Sequence, residues 1–111
     1  MSVVSYYNNY EDTTNFSDST ARMTLTTGVA QTVTVPGTAK DSLQAIFGFA
    51  DTVSFMVGYN EAPTLPDDNT VVTTGRVEVN PIKRFVKGGD VLHFMTPDTT
   101  ALVGVSFRTL P

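Results

Sequence analysis

The sequence has no cysteine and no tryptophan, only one histidine, and few charged residues. Without cysteine, disulfides and thiolate metal sites are excluded, and the redox compartment stays open. Seven basic residues stand against eleven acidic ones, and the net charge is −4. Because phosphate neutralisation needs clustered lysine and arginine, no nucleic-acid partner is expected. No apolar run approaches the length of a membrane helix, so no membrane partner is expected either.

Threonine and valine are the abundant residues, with 18 and 15 copies. Both are β-branched and favour the pleated, half-buried surface of a sheet. Since only 16% of the residues are charged, we expect a sheet whose outer face is neutral and hydroxylated. Soluble monomers normally display more charge, so we expect a partner to cover such a face.

Apolar residues follow a period of two from residue 22 onwards. Met23 and Leu25 alternate with threonines, as do Val33 and Val35, and the glycine in "TTGVAQ" between them predicts a hairpin. Two further apolar sets follow, Leu43, Ala45, Phe47 and Phe49, then Val53, Phe55, Val57 and Tyr59. The short linker 50–52 predicts a second hairpin whose apolar faces meet in the core. The alternative for 39–48 is a helix capped by Asp41 or Ser42.

The later strands are predicted at 71–79, with a bend at Gly75, at 85–86, at 91–96 and at 101–107. Gly88-Gly89 predicts a tight hairpin turn, because glycine adopts positive φ at little cost. The total is seven or eight short antiparallel strands, which predicts an all-β, single-domain β-sandwich of jelly-roll-like form. We place this domain at 21–111 and a polar N-terminal arm at 1–20.

His93 is the one side chain that titrates near neutrality at its ordinary pKa. A hydrolase would need it beside a nucleophile and an orienting acid, for which Ser106 and Asp90 are the nearby candidates. Both residue types are ordinary in β-structure, so we expect a packed or interface histidine and no enzyme. The acids of "LPDDN" at 65–69, with Asp90 and Asp98, leave a calcium loop as an alternative. The expected state is solvated turn acids, with no metal and no cofactor.

The arm has no basic residue and is rich in aromatic ones, namely Tyr6, Tyr7, Tyr10 and Phe16. Tyrosine suits a half-wet interface, so the arm is predicted either to fray or to order against a neighbour. Residues 1–16 also lack the basic-then-apolar layout of a signal peptide, which predicts use without Sec export.

"NPIKRFVKGGD" brings three positive charges together in an otherwise acidic chain, at Lys83, Arg84 and Lys87. The stretch is either a solvated loop or a docking edge. In the second case it meets an acidic surface on a partner, or the arm of the next protomer, and its charge sets the register of the contact.

The run "VNPIKRFVKGGDVLHFMTPDTTALVGVSFRTLP" resembles the C-terminal half of small virion structural proteins of tailed bacteriophages. Those chains contain a phenylalanine-rich strand, a "V..Y/VN" strand and a proline-bearing loop, and end in "NP..R.V..GD.I.F.TPDT.A.VGV". The corresponding pieces here are "IFGF" at 46–49, "VGYN" at 57–60, "NP" at 80–81, Arg84, Val86, "KGGD" at 87–90 and "TPDTT" at 96–100. The resemblance covers about residues 30 to 111 and leaves the arm unmatched.

The resemblance implies a capsid decoration (cement) protein on the outside of the virion. Its partner would be the major capsid protein, and its fold a β-sandwich that assembles as a homo-oligomer, a trimer. Two alternatives stay open: a tail, neck or head-fibre component of the virion, and a carbohydrate-binding β-sandwich module. The second would need exposed aromatic residues on one face, and Tyr59 and the N-terminal tyrosines are its candidates.

Overall fold

The computed structural model describes residues 17–63 and 76–110. This part of the chain is all-β, as the period of two predicts. It contains eight strands: β1 Ser19–Thr26, β2 Gln31–Thr34, β3 Ser42–Gly48, β4 Met56–Tyr59, β5 Val77–Val79, β6 Lys83–Lys87, β7 Val91–Met95 and β8 Thr100–Thr109. Of the strand predicted at 71–79, the part at Val77–Val79 is confirmed as β5. The predicted bend at Gly75 lies outside the described residues.

The strands form two antiparallel four-stranded sheets, in the orders β1-β8-β3-β6 and β2-β7-β4-β5. The first strand pairs with the last, the second with the seventh, the third with the sixth, and the fourth with the fifth. These nested pairs alternate between the two sheets: the pairs β1–β8 and β3–β6 belong to the first sheet, and β2–β7 and β4–β5 to the second. This is the topology of a jelly-roll sandwich, and the predicted fold class is confirmed.

The core lies between the two sheets, where inward-facing apolar side chains alternate with outward ones. The predicted inner faces are confirmed, since Leu43, Ala45 and Phe47 of β3 are buried. Phe55, directly before β4, and Val57 of β4 are buried as well. Aromatic rings join the layers: the Phe55 ring lies 4.9 Å from Phe49, 6.2 Å from Phe47 and 6.3 Å from Phe94, between ring centroids. Offset and edge contacts at these separations stabilise a core beyond the apolar area they bury.

The three predicted hairpins are wrong. β1 and β2, β3 and β4, and β6 and β7 each lie in different sheets, so their connections cross from one layer to the other. Two consecutive strands that each have an inward apolar face can pair side by side in one sheet or lie opposite each other across the core. Here they lie opposite each other across the core. The alternative helix at 39–48 is also wrong, because β3 occupies most of that range.

The two long sides of the sandwich differ. On one side β1 and β2 approach closely: Gly28 donates its N–H to the Thr96 carbonyl (3.0 Å), and the Gln31 amide donates to the Thr24 carbonyl (2.7 Å). On the other side β6 and β5 are the edge strands of their sheets, and a groove lies between them. Strand β1 begins at Ser19, two residues before the predicted domain boundary.

Candidate interaction surfaces

The predicted interaction residues fall into two groups. Tyr6, Tyr7, Tyr10 and Phe16 lie outside the described residues. Lys83, Arg84 and Lys87 all lie on edge strand β6, and all three are exposed. They do not act together, because consecutive side chains of a strand project to opposite faces of the sheet. Lys83 and Lys87 project outward, whereas Arg84 lies opposite the buried Ala45 and projects towards the second sheet.

Arg84 forms an ion pair with Glu78 of β5, across the open side of the sandwich. Its Nε donates to both Glu78 carboxylate oxygens, at 2.9 and 2.7 Å. The hydrogen bonds from Arg84 lower the pKa of Glu78, and the same contact raises the pKa of Arg84. Arg84 therefore joins the edges of the two sheets, and its charge is neutralised within the molecule.

The outer face of the first sheet carries four positive charges, at Arg22, Lys83, Lys87 and Arg108. We call this surface the basic face. These residues share the face because their partners across the sheet, Gly104, Ile46, Ser42 and Gln44, alternate with buried positions. No strand residue of this face is acidic, and Asp18 lies at its border, where Thr109 donates an N–H to its carboxylate (2.9 Å). Hydrogen bonds from Thr109 lower the pKa of Asp18.

Apolar side chains lie among the cations of the basic face. Phe85 stands between Lys83 and Lys87 on β6 and is 76% exposed, and Leu102 of β8 is 49% exposed. Arg108 donates to the Gln44 side chain (2.5 Å), one strand away from Phe85. Aromatic residues and arginines are enriched at protein interfaces, and this face offers both side by side.

The outer face of the second sheet has no charged strand residue, and we call it the neutral face. Its outward positions come from β2, β7, β4 and β5, and Met56 and Gly58 among them are buried: Thr32, Thr34, Val91, His93, Met95, Met56, Gly58, Val77 and Val79. Residues 61–63 cover it at Gly58, which is buried, and bring Glu61 to its border. The expected neutral face is thus found on the second sheet, whereas most of the outward hydroxyl residues lie on the first sheet together with the cations.

The groove on the open side has a volume of about 530 Å³. Apolar and polar residues line it together: Phe47, Val57, Val77, Pro81, Phe85, Val86, Leu92, Tyr59, Arg76, Glu78 and Arg84. The Arg76 guanidinium lies 5.6 Å from the centre of the Tyr59 ring, so the ring already has a cationic neighbour.

Two of the predicted turn acids hold loops in place and are not merely solvated, which corrects the expectation for Asp90 and Asp98. Asp98 accepts the Ser54 N–H at 2.8 Å. Asp90 accepts the Lys87 N–H at 2.9 Å and a short hydrogen bond from the Tyr59 hydroxyl. Burial alone would raise the pKa of Asp90, but these hydrogen bonds and that from Asn60 outweigh it and lower the pKa.

The candidate hydrolase residues are separated by the fold. His93 projects from the neutral face, and Ser106 from the opposite, basic face, so these two cannot act in one triad. Within residues 17–63 and 76–110, no three acidic or histidine side chains are grouped closely enough to hold a metal ion. The same residues contain no helix long and apolar enough to span a bilayer.

Sequence reasoning missed Arg22 and Arg108 as surface partners of Lys83 and Lys87. They lie near opposite ends of the described chain and come together only because β1 and β8 pair in the first sheet. Comparison with protein-family models, with curated proteins and with solved structures gives no match for this chain.

Proposed function

We propose that this chain is a non-enzymatic structural protein of a tailed-bacteriophage virion. In this role it decorates the capsid, binding and stabilising the lattice of the major capsid protein from outside. The sequence motifs at 46–49, 57–60, 80–81, 87–90 and 96–100 support the proposal by resemblance. The jelly-roll topology supports it only as a fold-level analogy, because viral capsid domains share this fold with lectins and cupins.

The neutral face is the observation that carries the proposal. Its exposed strand residues are Thr32, Thr34 and Val79, and none of its strand residues is charged, on a protein whose charged residues are few. Soluble domains normally keep their exposed sheets charged, so a neutral sheet face is the expected site for an extended partner. A protein that binds only the assembled lattice stabilises it by mass action, and many modest contacts add up over the shell.

The first test is the copy number of this chain in purified particles, measured by quantitative mass spectrometry against the major capsid protein. A ratio near one to one supports decoration of the whole shell. A small multiple of three or six per particle would instead assign it to the tail, neck or a head fibre. Absence from the particles would contradict the virion role altogether.

The groove favours the carbohydrate-binding alternative. Tyr59 supplies an aromatic ring there, and Glu78 and Arg84 supply hydrogen-bonding groups. Sugar-binding sites combine an aromatic ring, on which the sugar stacks, with a few fixed polar groups. This groove contains both kinds of group. A glycan array with the intact chain distinguishes the alternatives. Saturable binding that is lost in Tyr59→Ala, together with absence from particles, would favour the sugar-binding function.

A further inference from the structure

We propose that the basic face binds residues 1–16 of a second copy of this chain, so that the protein self-associates by exchange of its N-terminal segments. This self-association takes place in solution and does not depend on the virion role. Residues 1–16 fit the basic face in charge and in side-chain type, and the chain enters the first sheet beside it.

Charge is the first argument. Lys83, Lys87, Arg22 and Arg108 project from one sheet face of a chain whose net charge is −4. Arg84, the remaining cation of β6, is neutralised by Glu78 and takes no part. A surface that differs in sign from the whole molecule attracts an acidic segment of another copy and orients it. Residues 1–16 contain Glu11 and Asp12 and no lysine or arginine.

Side-chain type is the second argument. The basic face offers Phe85 and Leu102 as exposed apolar contacts between its cations. Residues 1–16 contain three tyrosines, followed by Phe16. Aromatic side chains bury much surface and can keep a polar end in water, which suits a face of mixed apolar and charged character. An acidic segment without aromatic residues could pair with the cations of the basic face but would leave Phe85 and Leu102 without apolar contacts.

The place where the chain enters the sheet is the third argument. Asp18 donates its N–H to the Phe107 carbonyl (2.9 Å), so the chain reaches β1 at the end of the sheet where β8 finishes, beside Arg108. Asp18 thus tethers residues 1–16 at the border of the basic face, where neighbouring copies exchange them. Sixteen residues span up to about 55 Å when extended, which is long enough to reach another copy.

Charge exchange between full-length chains tests the proposal. The face-reversed variant is Lys83→Glu with Lys87→Glu, and the segment-reversed variant is Glu11→Lys with Asp12→Lys. Molar mass is measured by light scattering after size exclusion over a concentration series, with circular dichroism to confirm the fold. Arg76→Glu is the control, because Arg76 is exposed and directly precedes β5 in the other sheet.

The wild-type chain is expected to self-associate, and each reversed variant to raise the dissociation constant about tenfold or more. Arg76→Glu should behave as the wild type. An equimolar mixture of the two reversed variants should regain the wild-type mass, because each segment then meets a face of opposite charge on the other variant.

Three results would overturn the proposal. One is a wild-type chain that stays monomeric at every concentration. Another is a face-reversed variant, correctly folded, that keeps the wild-type mass. The third is rescue only when all four substitutions are combined in one chain and not in the mixture, which would place the segment on its own molecule. None of these measurements uses particles, so they are separate from the test of the virion role.

Discussion

At the residue scale, a few side chains in loops fix how the strands meet. Asn60 and Asn80 have left-handed backbone conformations, with φ of 58° and 47°, a region that asparagine tolerates better than most residues. The Asn80 side chain accepts the Phe55 N–H (2.8 Å) and donates to the Val53 carbonyl (3.0 Å). These two hydrogen bonds fix the backbone directly before β4. A sequence pattern marks such an asparagine as a turn residue but does not indicate which strand it holds.

The Tyr59–Asp90 hydrogen bond makes stability depend on pH. In the folded state the pKa of Asp90 is lowered, and Asp90 raises the pKa of Tyr59. The stabilisation is therefore present from the ordinary aspartate pKa of 3.8 up to the ordinary tyrosine pKa of 10.0. It is lost as the pH falls through the folded pKa of Asp90 or rises through that of Tyr59.

Tyr59→Phe is expected to lower the free energy of unfolding by about 1 kcal/mol at pH 7, because the hydrogen bond to Asp90 is removed. Thermal unfolding from pH 3 to 11 measures this. The wild type and the variant should converge towards both ends of the range. A constant difference across all pH values would show that Tyr59 contributes by packing alone.

Gly58 is a close-packed position in β4. A Cβ there would overlap the Glu61 carbonyl oxygen and lie 3.2 Å from the Pro63 ring, where residues 61–63 cross the neutral face. Gly58→Ala is expected to cost about 2 kcal/mol in denaturant unfolding, because backbone atoms must shift. Gly48→Ala is the control, since a Cβ at Gly48 meets nothing within 4 Å. Equal stability of the two variants would contradict this account of residues 61–63.

At the scale of the elements, sequence reasoning identified the strands and their inner faces but not their partners. The period of two in Leu43, Ala45 and Phe47 fixes which side chains are buried, because burial follows directly from alternation. It does not fix the sheet to which a strand belongs. That choice depends on long-range pairs such as β1 with β8, which local patterns do not encode.

The sequence likewise predicts only those parts of the candidate surfaces whose residues are close together in the chain. Lys83 and Lys87 could be identified from the sequence because they lie close together in it. The inward projection of Arg84 follows from alternation once Val86 is known to be buried. Arg22 and Arg108, and the neutral character of the opposite face, required the sheet order.

Two phenylalanines of the sandwich separate core stability from surface function. Phe55 is fully buried and contacts three other rings, whereas Phe85 is mostly exposed. Phe55→Ala is expected to cost about 3–5 kcal/mol in chemical denaturation, because it leaves a cavity between the sheets. Phe85→Ala should change stability by no more than about 0.5 kcal/mol. A large loss of stability in Phe85→Ala would mean that its ring packs in the fold and is not a free contact.

At the scale of the whole molecule, the two outer faces differ in character, and the proposed roles differ accordingly. The neutral face is assigned to the lattice and the basic face to a second copy. Val79 is 61% exposed on the neutral face, and Val29 is 52% exposed in the β1–β2 connection. Both are apolar and comparably accessible, so they form a matched pair.

Val79→Lys is expected to reduce attachment to particles about tenfold or more, because a charge would be desolvated against the lattice. Val29→Lys should attach as the wild type does. Cosedimentation of each purified variant with particles stripped of this chain measures both. Normal attachment of Val79→Lys would remove the neutral face from the proposed contact.

The nested pairing of the strands sets an order for folding. Strand β4 can pair with its successor along the chain, but β1 finds its only partner in its sheet in β8, near the other end of the described residues. During synthesis β1 therefore cannot form its strand pair until β8 has left the ribosome. Contacts between such distant segments form slowly. We expect pulsed hydrogen exchange during refolding to protect β4 and β5 before β1; simultaneous protection of all strands would argue against this order.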